Sequence, residues 1–236
     1  MKSTRTLRHE QHRDTTSLRD VILGGQDGLV NILGIILGVI AADGATSVLI
    51  VTGIAAAITE SISMGAVGYT SSLAERDRYE AERLRELSEI DSSPDVERDE
   101  VRTIYEAKGF SGELLERVVT TLTADRERWA DTMMDEELHL RPVDMRDVVR
   151  TSITITIATL IGHLIPILPF FALPRFPALV AAFILSGIVL FAVGAYTAVT
   201  LVGDWRRNGA QMLVIGLGAA ALGYLISKLV GATGAF

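Results

Sequence analysis

Apolar residues along this chain fall into five long runs, and a charged block separates the second run from the third. The runs lie near residues 20–42, 47–72, 148–173, 178–202 and 211–230. Each is long enough for an α-helix to cross a hydrocarbon core of roughly 30 Å. The charged block carries helical patterning and no strand signal. The pattern predicts an all-α integral membrane protein with five transmembrane helices and one inserted three-helix domain.

The same pattern divides the chain into four segments. Residues 1–18 form a basic, polar lead, and residues 19–72 contain transmembrane helices 1 and 2. Residues 73–145 form the inserted domain, and residues 146–236 contain transmembrane helices 3 to 5. The lead lacks an apolar core and a small-residue cleavage site, so it does not resemble a signal peptide.

Helix-breaking residues predict where the helices end. Pro94 ends the first helix of the inserted domain and Gly109 ends the second, while the third has a break near residues 123–125. Prolines also punctuate the third span. Pro166 and Pro169 predict a kinked or unwound end for that span. The following turn is fixed by Pro174 and Pro177.

The second apolar run continues into the charged block without an evident stop, from about Ser47 to Ile90. One helix is therefore predicted to leave the bilayer and continue in water. Its apolar part carries Glu60 and Met64 one turn apart, and its charged part carries acids with the same spacing. A carboxylate at membrane depth is costly and indicates function.

Charge is segregated along the chain. Residues 71–147 carry 22 of the 29 acids and 12 of the 22 bases, a net charge of −10, whereas the remainder is +3. Such an acidic block repels nucleic acid and attracts cations. The chain has no cysteine, which excludes disulfides and thiolate metal sites.

Lys and Arg in the short connections predict the orientation. They occur in the N-terminal lead and at Arg206 and Arg207, while the first turn and the last residues have none, and Arg175 is the lone base near the third turn. The N-terminus and the acidic domain are predicted to be cytoplasmic and the C-terminus outside. Without a leader or sorting segment, a prokaryotic plasma membrane is expected, with a vacuolar membrane as the alternative.

Two pairs of acids with helical spacing lie in the acidic block. Glu86 and Glu89 share one helix face, and Glu97 and Glu100 share a face of the next helix. A hairpin of these helices would bring four carboxylates together, a set that suits hard cations such as Mg²⁺ or Ca²⁺.

The third helix changes the expected metal. Met133 and Met134 lie in an acidic run, with Glu137 one turn further on. Thioether ligands favour softer transition metals such as Fe²⁺, Co²⁺, Zn²⁺ or Mn²⁺. The alternative is a solvated bundle in which the two methionines fill a small core and nearby arginines pair with the acids. Those arginines are Arg83, Arg85, Arg98 and Arg102.

Inside the spans, the polar candidates are Asp27, Asn31, Glu60, Met64 and His163. Asp27 is flanked by glycines, which permit close approach of the backbone. In the alternative interpretation, Asp27 lies at the membrane interface, at the end of the span. Met64 beside a carboxylate is a candidate soft ligand, although a lone methionine is usually a packing residue. His163 is a packing residue or a ligand. If the chain uses a proton gradient, Asp27, Glu60 and His163 are the groups placed to carry protons.

Four motifs make the sequence recognisable: DGLVNILGIILGV, SMGAVGYTS, LRELSEI followed by PDVERDEV, and MMDEELHL. With these motifs in this order over nearly the whole chain, the sequence resembles the vacuolar iron transporter family, as a prokaryotic-type member. The resemblance implies a five-span homodimer that moves Fe²⁺, and often Mn²⁺, Co²⁺ or Zn²⁺, out of the cytoplasm in exchange for protons.

The resemblance also implies roles for individual residues. Asp27 and Met64 would line the translocation path near the dimer interface. The ligands of the cytoplasmic metal-binding domain would be Glu86, Glu89, Glu97, Glu100, Met133, Met134 and Glu137. Plant members carry their second-span carboxylate where this chain has Ala56, so the match does not cover Glu60. The metal would be a substrate, and no prosthetic group is expected.

The leading hypothesis is therefore metal export by proton antiport, with a path of Asp27, Asn31, Glu60 and Met64. One alternative is a passive divalent cation channel gated by the acidic domain. Another is a membrane-anchored di-iron oxidase, because Glu136 and His139 spell Glu-x-x-His, although only one such unit exists. A third is a metal sensor or scaffold without transport.

Overall fold

The computed structural model describes residues 15–201 and 203–232, which form nine α-helices and no strand. Most of the predicted lead 1–18, with its four basic residues, lies outside this range, as does most of the terminal GATGAF. The helices are α1 Thr15–Ala41, α2 Thr46–Ser92, α3 Pro94–Ala107, α4 Gly112–Leu122, α5 Arg126–Glu136, α6 Met145–Ile167, α7 Pro169–Ala172, α8 Arg175–Leu201 and α9 Trp205–Ala232.

Five segments of the described chain are long and apolar enough to cross a membrane. They are Leu18–Ala41, Thr46–Ser92, Met145–Ala172, Arg175–Thr200 and Trp205–Leu229. The predicted all-α fold with five transmembrane helices is thus confirmed. The last helix begins earlier than its apolar run, because residues 205–210 provide a polar first turn that the hydropathy pattern does not register.

The chain divides into two compact units. One comprises residues 1–68 and 150–236, and the other comprises residues 69–149. We call the first the membrane unit and the second the acidic unit, which contains the predicted domain 73–145. Each is described by itself below.

The membrane unit is built around α1, whose apolar side chains lie in two buried clusters. Ile32 and Ile36 pack in one cluster, and Leu33 and Leu37 pack in the other. The first cluster adds Leu49 of α2, Ile167 of α6, Phe170 of α7 and Ala178 and Ala182 of α8. The second adds Ala220 of α9. Because α1 is apolar on most of its circumference, it can pack against several helices at once.

Small residues let α6 approach both α1 and α2 closely. A Cβ atom at Gly24 would lie 2.6 Å from the Ile155 carbonyl oxygen, and one at Gly65 would lie 1.9 Å from Thr156 Oγ1. The Ser152 hydroxyl donates to the Gly65 carbonyl at 2.8 Å. Glycine at these positions therefore brings the α6 backbone within van der Waals contact of its neighbours.

Prolines shape the end of the third span partly as predicted. Helix α6 continues through Pro166 to Ile167, and α7 begins at Pro169, so the break lies at Leu168. Pro174 lies in the turn before α8, but Pro177 lies in the first turn of that helix, where its missing N–H has no helical partner to lose. The prediction that Pro177 belongs to the turn was therefore wrong.

In the acidic unit, α2 ends at Ser92 and α3 begins at Pro94, as predicted from the proline. After α3, Gly109 adopts a φ of 94°, which glycine allows at little cost. The third predicted helix is interrupted at residues 123–125 and forms α4 and α5. Asp125 is the N-cap that begins α5, because its side chain accepts a hydrogen bond from the Arg128 N–H at 2.9 Å.

The core of the acidic unit is one apolar cluster shared by all of its helices. It contains Leu87, Ile90, Val101, Leu115, Val119, Trp129, Ala130 and Met133. On α2, α4 and α5 its members recur three or four residues apart, which is the spacing of one buried helix face, and α3 contributes Val101. The acids occupy the remaining faces.

Candidate functional site

A polar cluster around Glu60 lies within the membrane unit, where His163 is fully buried, Glu60 is half-buried and Asn31 is exposed. The amide of Asn31 on α1 donates to Glu60 Oε2. The ring nitrogen Nε2 of His163 on α6 lies 3.0 Å from the same oxygen. Asp27 on α1 lies close enough to Glu60 for the two carboxyl groups to interact electrostatically. Three helices therefore bring four of the predicted polar residues together.

Asp27 also lines a cavity between α1 and α9. The cavity has a volume of about 290 Å³ and is lined by Leu23, Gln26, Asp27, Val30, Ile215 and Ala219. A volume of this size holds several water molecules. Asp27 is half-buried and lies near the half-buried acid Glu60, which favours the predicted path position over a purely interfacial one.

Met64 lies on α2, one turn after Glu60, and is half-buried. Its thioether is therefore on the helix side that carries the Glu60 cluster. The predicted meeting of Met64 with Asp27 stays a prediction. Ala56, one turn before Glu60, carries no polar group, so Glu60 supplies the acid of α2 inside the apolar segment.

In the acidic unit, the seven predicted ligands differ in burial. Glu86 is 2% exposed and Glu97 is 5% exposed, and both methionines are buried. Glu89 is half-buried, while Glu100 and Glu137 are exposed. The acids come from α2 and α3 and from the end of α5, where Glu137 is the C-cap residue. We call these five glutamates the acid cluster.

Two members of the acid cluster hold buried oxygens without a hydrogen-bond partner. These atoms are Glu86 Oε2 and Glu97 Oε2. A buried carboxylate oxygen without a partner costs at least about 1–3 kcal/mol, because its hydration is lost and nothing replaces it. Native proteins tolerate such atoms where a ligand or ion satisfies them. These oxygens therefore fit a bound cation.

Burial and the charges of neighbouring carboxylates raise the pKa values of three of these acids. Burial raises the pKa of Glu97 to about 7, and the negative charges of Glu100, Glu86, Glu89 and Glu137 add to this rise. Burial also raises the pKa of Glu86, with further contributions from Glu137 and Glu89. The pKa of Glu137 is raised by burial and then by Glu100. Neighbouring carboxylates thus add to burial in disfavouring the ionised forms of Glu86, Glu97 and Glu137.

The sequence left open that four arginines pair with the acid cluster, and three of these four arginines pair with other acids instead. Arg83 pairs with Glu127 and Asp131, and Arg102 pairs with Asp99 and Glu116.

Arg98 lies 3.7 Å from Asp95 and stacks over the Trp129 ring. Arg85 does reach the acid cluster, at 3.4 Å from Glu86 Oε1 and 3.8 Å from Glu89 Oε2. One exposed arginine leaves most of the negative charge of the five glutamates uncompensated.

The two methionines have different surroundings. Met133 is part of the apolar core cluster with Leu87 and Trp129. Met134 is equally buried, but it lies outside that cluster. Met134 is therefore the better candidate for a sulfur ligand, and Met133 has a packing role that the sequence alternative anticipated.

The Glu-x-x-His sequence does not form a helical metal unit. Helix α5 ends at Glu136, and His139 lies beyond it with a φ of 52°. Glu136 forms an ion pair with Lys108. The His139 ring contacts the Asp135 carbonyl at 3.0 Å. The two side chains therefore lack the shared helix face that a di-iron site requires.

Within residues 15–201 and 203–232, no three His, Asp or Glu side chains are close enough to form a ready-made metal site. The glutamates of the acid cluster thus influence one another electrostatically, but they do not form a complete set of metal ligands. The sequence named all five glutamates of the acid cluster. In the membrane unit, it did not predict the contact between Glu60 and His163. Those residues are 103 positions apart, and only the packing of α6 against α2 brings them together.

Comparison with known proteins agrees with these features. The VIT family model matches residues 18–228. Vacuolar iron transporter 1 of Arabidopsis thaliana is 31% identical over 90% of this chain and 86% of its own length. The vacuolar iron transporter of Centaurea cyanus is 33% identical over 94% of this chain and 91% of its own length. That of Plasmodium falciparum is 35% identical over 56% of this chain and 49% of its own length.

Proposed function

The chain belongs to the VIT family, and on that premise we propose that it exports divalent transition metal, Fe²⁺ first, from the cytoplasm in exchange for protons. It is a membrane protein that transports metal, and the metal is its substrate. The direction of transport, the coupling to protons and the range of metals are the proposed parts.

The observation that carries this proposal is the pair of buried carboxylate oxygens at Glu86 and Glu97 that have no partner. With Glu89, Glu100 and Glu137, they form a concentrated negative site in a unit that also buries Met133 and Met134. Carboxylate oxygen with thioether sulfur suits Fe²⁺, Mn²⁺, Co²⁺ and Zn²⁺ better than Mg²⁺ alone. The acidic unit would collect metal on the cytoplasmic side.

In the membrane unit, the proposed path includes Asp27, Asn31, Glu60 and Met64. Support comes from the cavity at Asp27 and from its closeness to Glu60, which together give a polar route into an apolar helix bundle. Acids at membrane depth are otherwise costly.

The orientation with an external C-terminus is also proposed. Arg175, the lone base near the third turn, lies 3.4 Å from Asp43, which follows α1. It is the one base in the two turns that are predicted to be external. The N-terminal lead and the loop at Arg206 and Arg207 carry more Lys and Arg, and this excess favours a cytoplasmic N-terminus. A homodimer in a prokaryotic plasma membrane is proposed on the same premise.

Proteoliposomes containing the purified chain test this function. A gradient of Fe²⁺ or Mn²⁺ is expected to drive opposite proton movement, reported by a pH-sensitive dye and a metal-sensitive dye together. Asp27→Asn is expected to reduce metal flux at least tenfold, because the path loses its charge at that cavity. Asp43→Asn is the matched control, since Asp43 is exposed and outside the path.

The outcomes separate the alternatives. Metal flux that neither responds to nor dissipates a pH gradient would indicate a passive channel. Normal metal binding with no flux would indicate a sensor or scaffold. Oxygen consumption on adding Fe²⁺ would indicate an oxidase, against the geometry of Glu136 and His139.

A further inference from the structure

One glutamate of the acid cluster is held differently from the other four. Glu86 and Glu89 lie within α2, and Glu97 and Glu100 lie within α3. Glu137 is instead the C-cap of α5, one residue beyond the helix. Helix ends fray more readily than helix interiors. Glu137 therefore depends on contacts from outside α5 to keep its position in the cluster.

The residues at this helix end oppose its stability. Three consecutive acids, Asp135, Glu136 and Glu137, lie at the C-terminus of α5, and the last turn contains no basic residue. The C-terminus is the negative end of the helix dipole, so acids destabilise the last turn and a cation stabilises it. A stabilising cation therefore has to come from another part of the acidic unit.

Lys108, the C-cap residue of α3, supplies this cation. Its ammonium group forms an ion pair with Glu136 Oε2, and the Tyr105 hydroxyl lies 3.5 Å from Glu136 Oε1. The Lys108 ammonium also lies 5.0 Å from the centroid of the Tyr105 ring, within the range of a cation–π contact. Both oxygens of Glu136 thus face groups from the end of α3.

The end of α3 is in turn fixed to the core of the acidic unit. The Gly109 N–H donates to the Glu106 carbonyl at 2.9 Å, and the Phe110 N–H donates to the Tyr105 carbonyl at 3.1 Å. The rings of Tyr105 and Phe110 meet edge to face at 5.7 Å and pack against the apolar core cluster. Lys108 therefore extends from a chain segment whose position is set by the core.

The turn that this ion pair anchors also carries the backbone of Glu137. The N–H groups of Glu137 and Leu138 both donate to the Met133 carbonyl, at 3.0 and 3.2 Å. The Leu140 N–H donates to the Met134 carbonyl at 2.8 Å. These three bonds close the chain back onto the end of α5, so fraying of this turn would displace Glu137.

We propose that Lys108 is a positioning residue for metal binding, an inference that rests on the metal-collecting role proposed above for the acid cluster. By pairing with Glu136, Lys108 holds the last turn of α5 beside α3. Glu137 then stays close enough to Glu100 for the two carboxyl groups to interact electrostatically. A metal ion that binds the cluster finds Glu137 already in place, so less conformational entropy is lost on binding.

The positive charge of Lys108 makes this role separable from general electrostatics. A cation near a metal site repels the metal, so charge alone predicts that Lys108→Met binds metal more tightly. Positioning predicts the opposite sign, because the turn that carries Glu137 frays in this variant. Lys108→Arg keeps the charge and is expected to keep the affinity. Lys108 is exposed, so neither substitution disturbs the core.

Arg102→Met is the matched control. Like Lys108, Arg102 is a base of α3 that pairs with an acid of another helix, in this case Glu116 of α4. Helix α4 carries no member of the acid cluster. Arg102→Met therefore removes one positive charge and one ion pair between helices without loosening the turn at Glu137.

Calorimetric titration of Mn²⁺ into the full, metal-free chain in detergent measures these effects. Glu86→Gln, titrated in parallel, identifies the binding component that belongs to the acid cluster. Lys108→Met is expected to weaken this component about fivefold, the scale of one exposed ion pair. Lys108→Arg is expected to stay within about twofold of the unsubstituted chain, and Arg102→Met is expected to bind equally well or more tightly.

Two results would contradict this expectation in different ways. Equal or tighter binding in Lys108→Met, with Glu86→Gln still weakened, would overturn the positioning role and leave the collecting site intact. Unchanged affinity in Glu86→Gln would instead refute the collecting site, and this inference with it.

Hydrogen exchange of the metal-free chain tests the anchor without any metal. Mass spectrometry follows the amides of Glu137, Leu138 and Leu140, whose hydrogen bonds close the turn. Their exchange is expected to be at least about threefold faster in Lys108→Met and in Glu136→Gln, which breaks the same ion pair from the other side. Arg102→Met is expected to leave it unchanged. Unchanged exchange in both pair-breaking variants would overturn the inference.

Discussion

The membrane unit and the acidic unit both bury carboxylates, but they treat them differently. Glu60 in the membrane unit has the Asn31 amide and the His163 ring on one oxygen. Glu97 in the acidic unit is 5% exposed, and one of its oxygens has no partner. A carboxylate whose hydrogen bonds are satisfied can stay in place through a transport cycle. One that is unsatisfied and repelled by its neighbours gains most from a cation that arrives from outside.

The largest expected effect that tests this comparison is the pH-dependent stability of Glu97→Gln. The pKa of Glu97 is raised to about 7 from an ordinary value of 4.5, so the folded chain binds more protons than the unfolded chain between these pH values. Stability of the metal-free acidic unit therefore falls as pH rises through this window. The glutamine variant avoids that loss, which amounts to about 3 kcal/mol above pH 7.

Chemical unfolding of the full chain in detergent measures this effect. Fluorescence of Trp129 reports the acidic unit when Trp205→Phe is the common background, since Trp129 lies in its core. Variant and parent are expected to have equal stability at pH 4.5 and to diverge by pH 8. Equal stability at both pH values would mean that Glu97 is solvated and that the contrast with Glu60 is false.

The next effect is on metal affinity. Glu86→Gln is expected to weaken binding of Co²⁺ or Mn²⁺ to the metal-free chain about 50-fold, roughly 2.3 kcal/mol, because a buried anionic oxygen without a partner is lost. Calorimetric titration in detergent measures it. Glu116→Gln is the control, because Glu116 is exposed and paired with Arg102. Equal losses in both variants would show that general negative charge, and not the buried oxygen, attracts the metal.

The satisfied site of the membrane unit depends on close helix packing, which Gly28→Ala tests. The added methyl group would lie 2.4 Å from the Thr159 carbonyl oxygen, so α1 and α6 must separate. A loss of about 2 kcal/mol is expected in thermal or chemical unfolding, as for other overpacked sites. Gly34→Ala on the same helix is the control, since nothing lies within 4 Å of its added Cβ. Equal stability of the two variants would contradict the close approach.

The smallest expected effect concerns the sulfur of Met134. Met134→Leu keeps the volume but removes the thioether, so stability is expected to change by less than about 1.5 kcal/mol. The preference for Co²⁺ or Fe²⁺ over Mg²⁺ is expected to fall about tenfold, because sulfur favours softer metals. Competition binding measures this ratio. Met145→Leu is the control, at an exposed methionine at the start of α6. An unchanged ratio in Met134→Leu would leave Met134 as a packing residue.

Much of the fold was predictable from the sequence because its signals are local. Apolar length marks each membrane helix, and Pro94, Gly109 and Asp125 mark helix ends through their own backbone and side-chain chemistry. Where a helix extends past its apolar run, as at Trp205, the hydropathy pattern gave the wrong start. Pro177 was misplaced for a related reason, since a first helical turn and a loop tolerate proline equally.

The site was less predictable because its contacts join distant parts of the chain. Helical spacing grouped Glu86 with Glu89 and Glu97 with Glu100 within their own helices, the acidic run of the third helix added Met133, Met134 and Glu137, and the family resemblance joined them into one set. Spacing did not reveal that Arg83 and Arg102 would bind other acids, because partner choice depends on which helix faces meet. It also left the role of His163 open between packing, ligation and proton transfer, since a lone histidine on an apolar helix has no local partner.

By itself, the sequence determined the membrane class, the five spans, the acidic block and the identities of the candidate residues, because these depend on composition and on periods of a few residues. Only the tertiary structure decided which acids are satisfied and which are not. Rotation and close approach of α1, α2 and α6 set the neighbours of Glu60, and the packing of the acidic unit buries one oxygen each of Glu86 and Glu97 without a partner. Such contacts depend on how helix faces meet in three dimensions, which one-dimensional spacing does not encode.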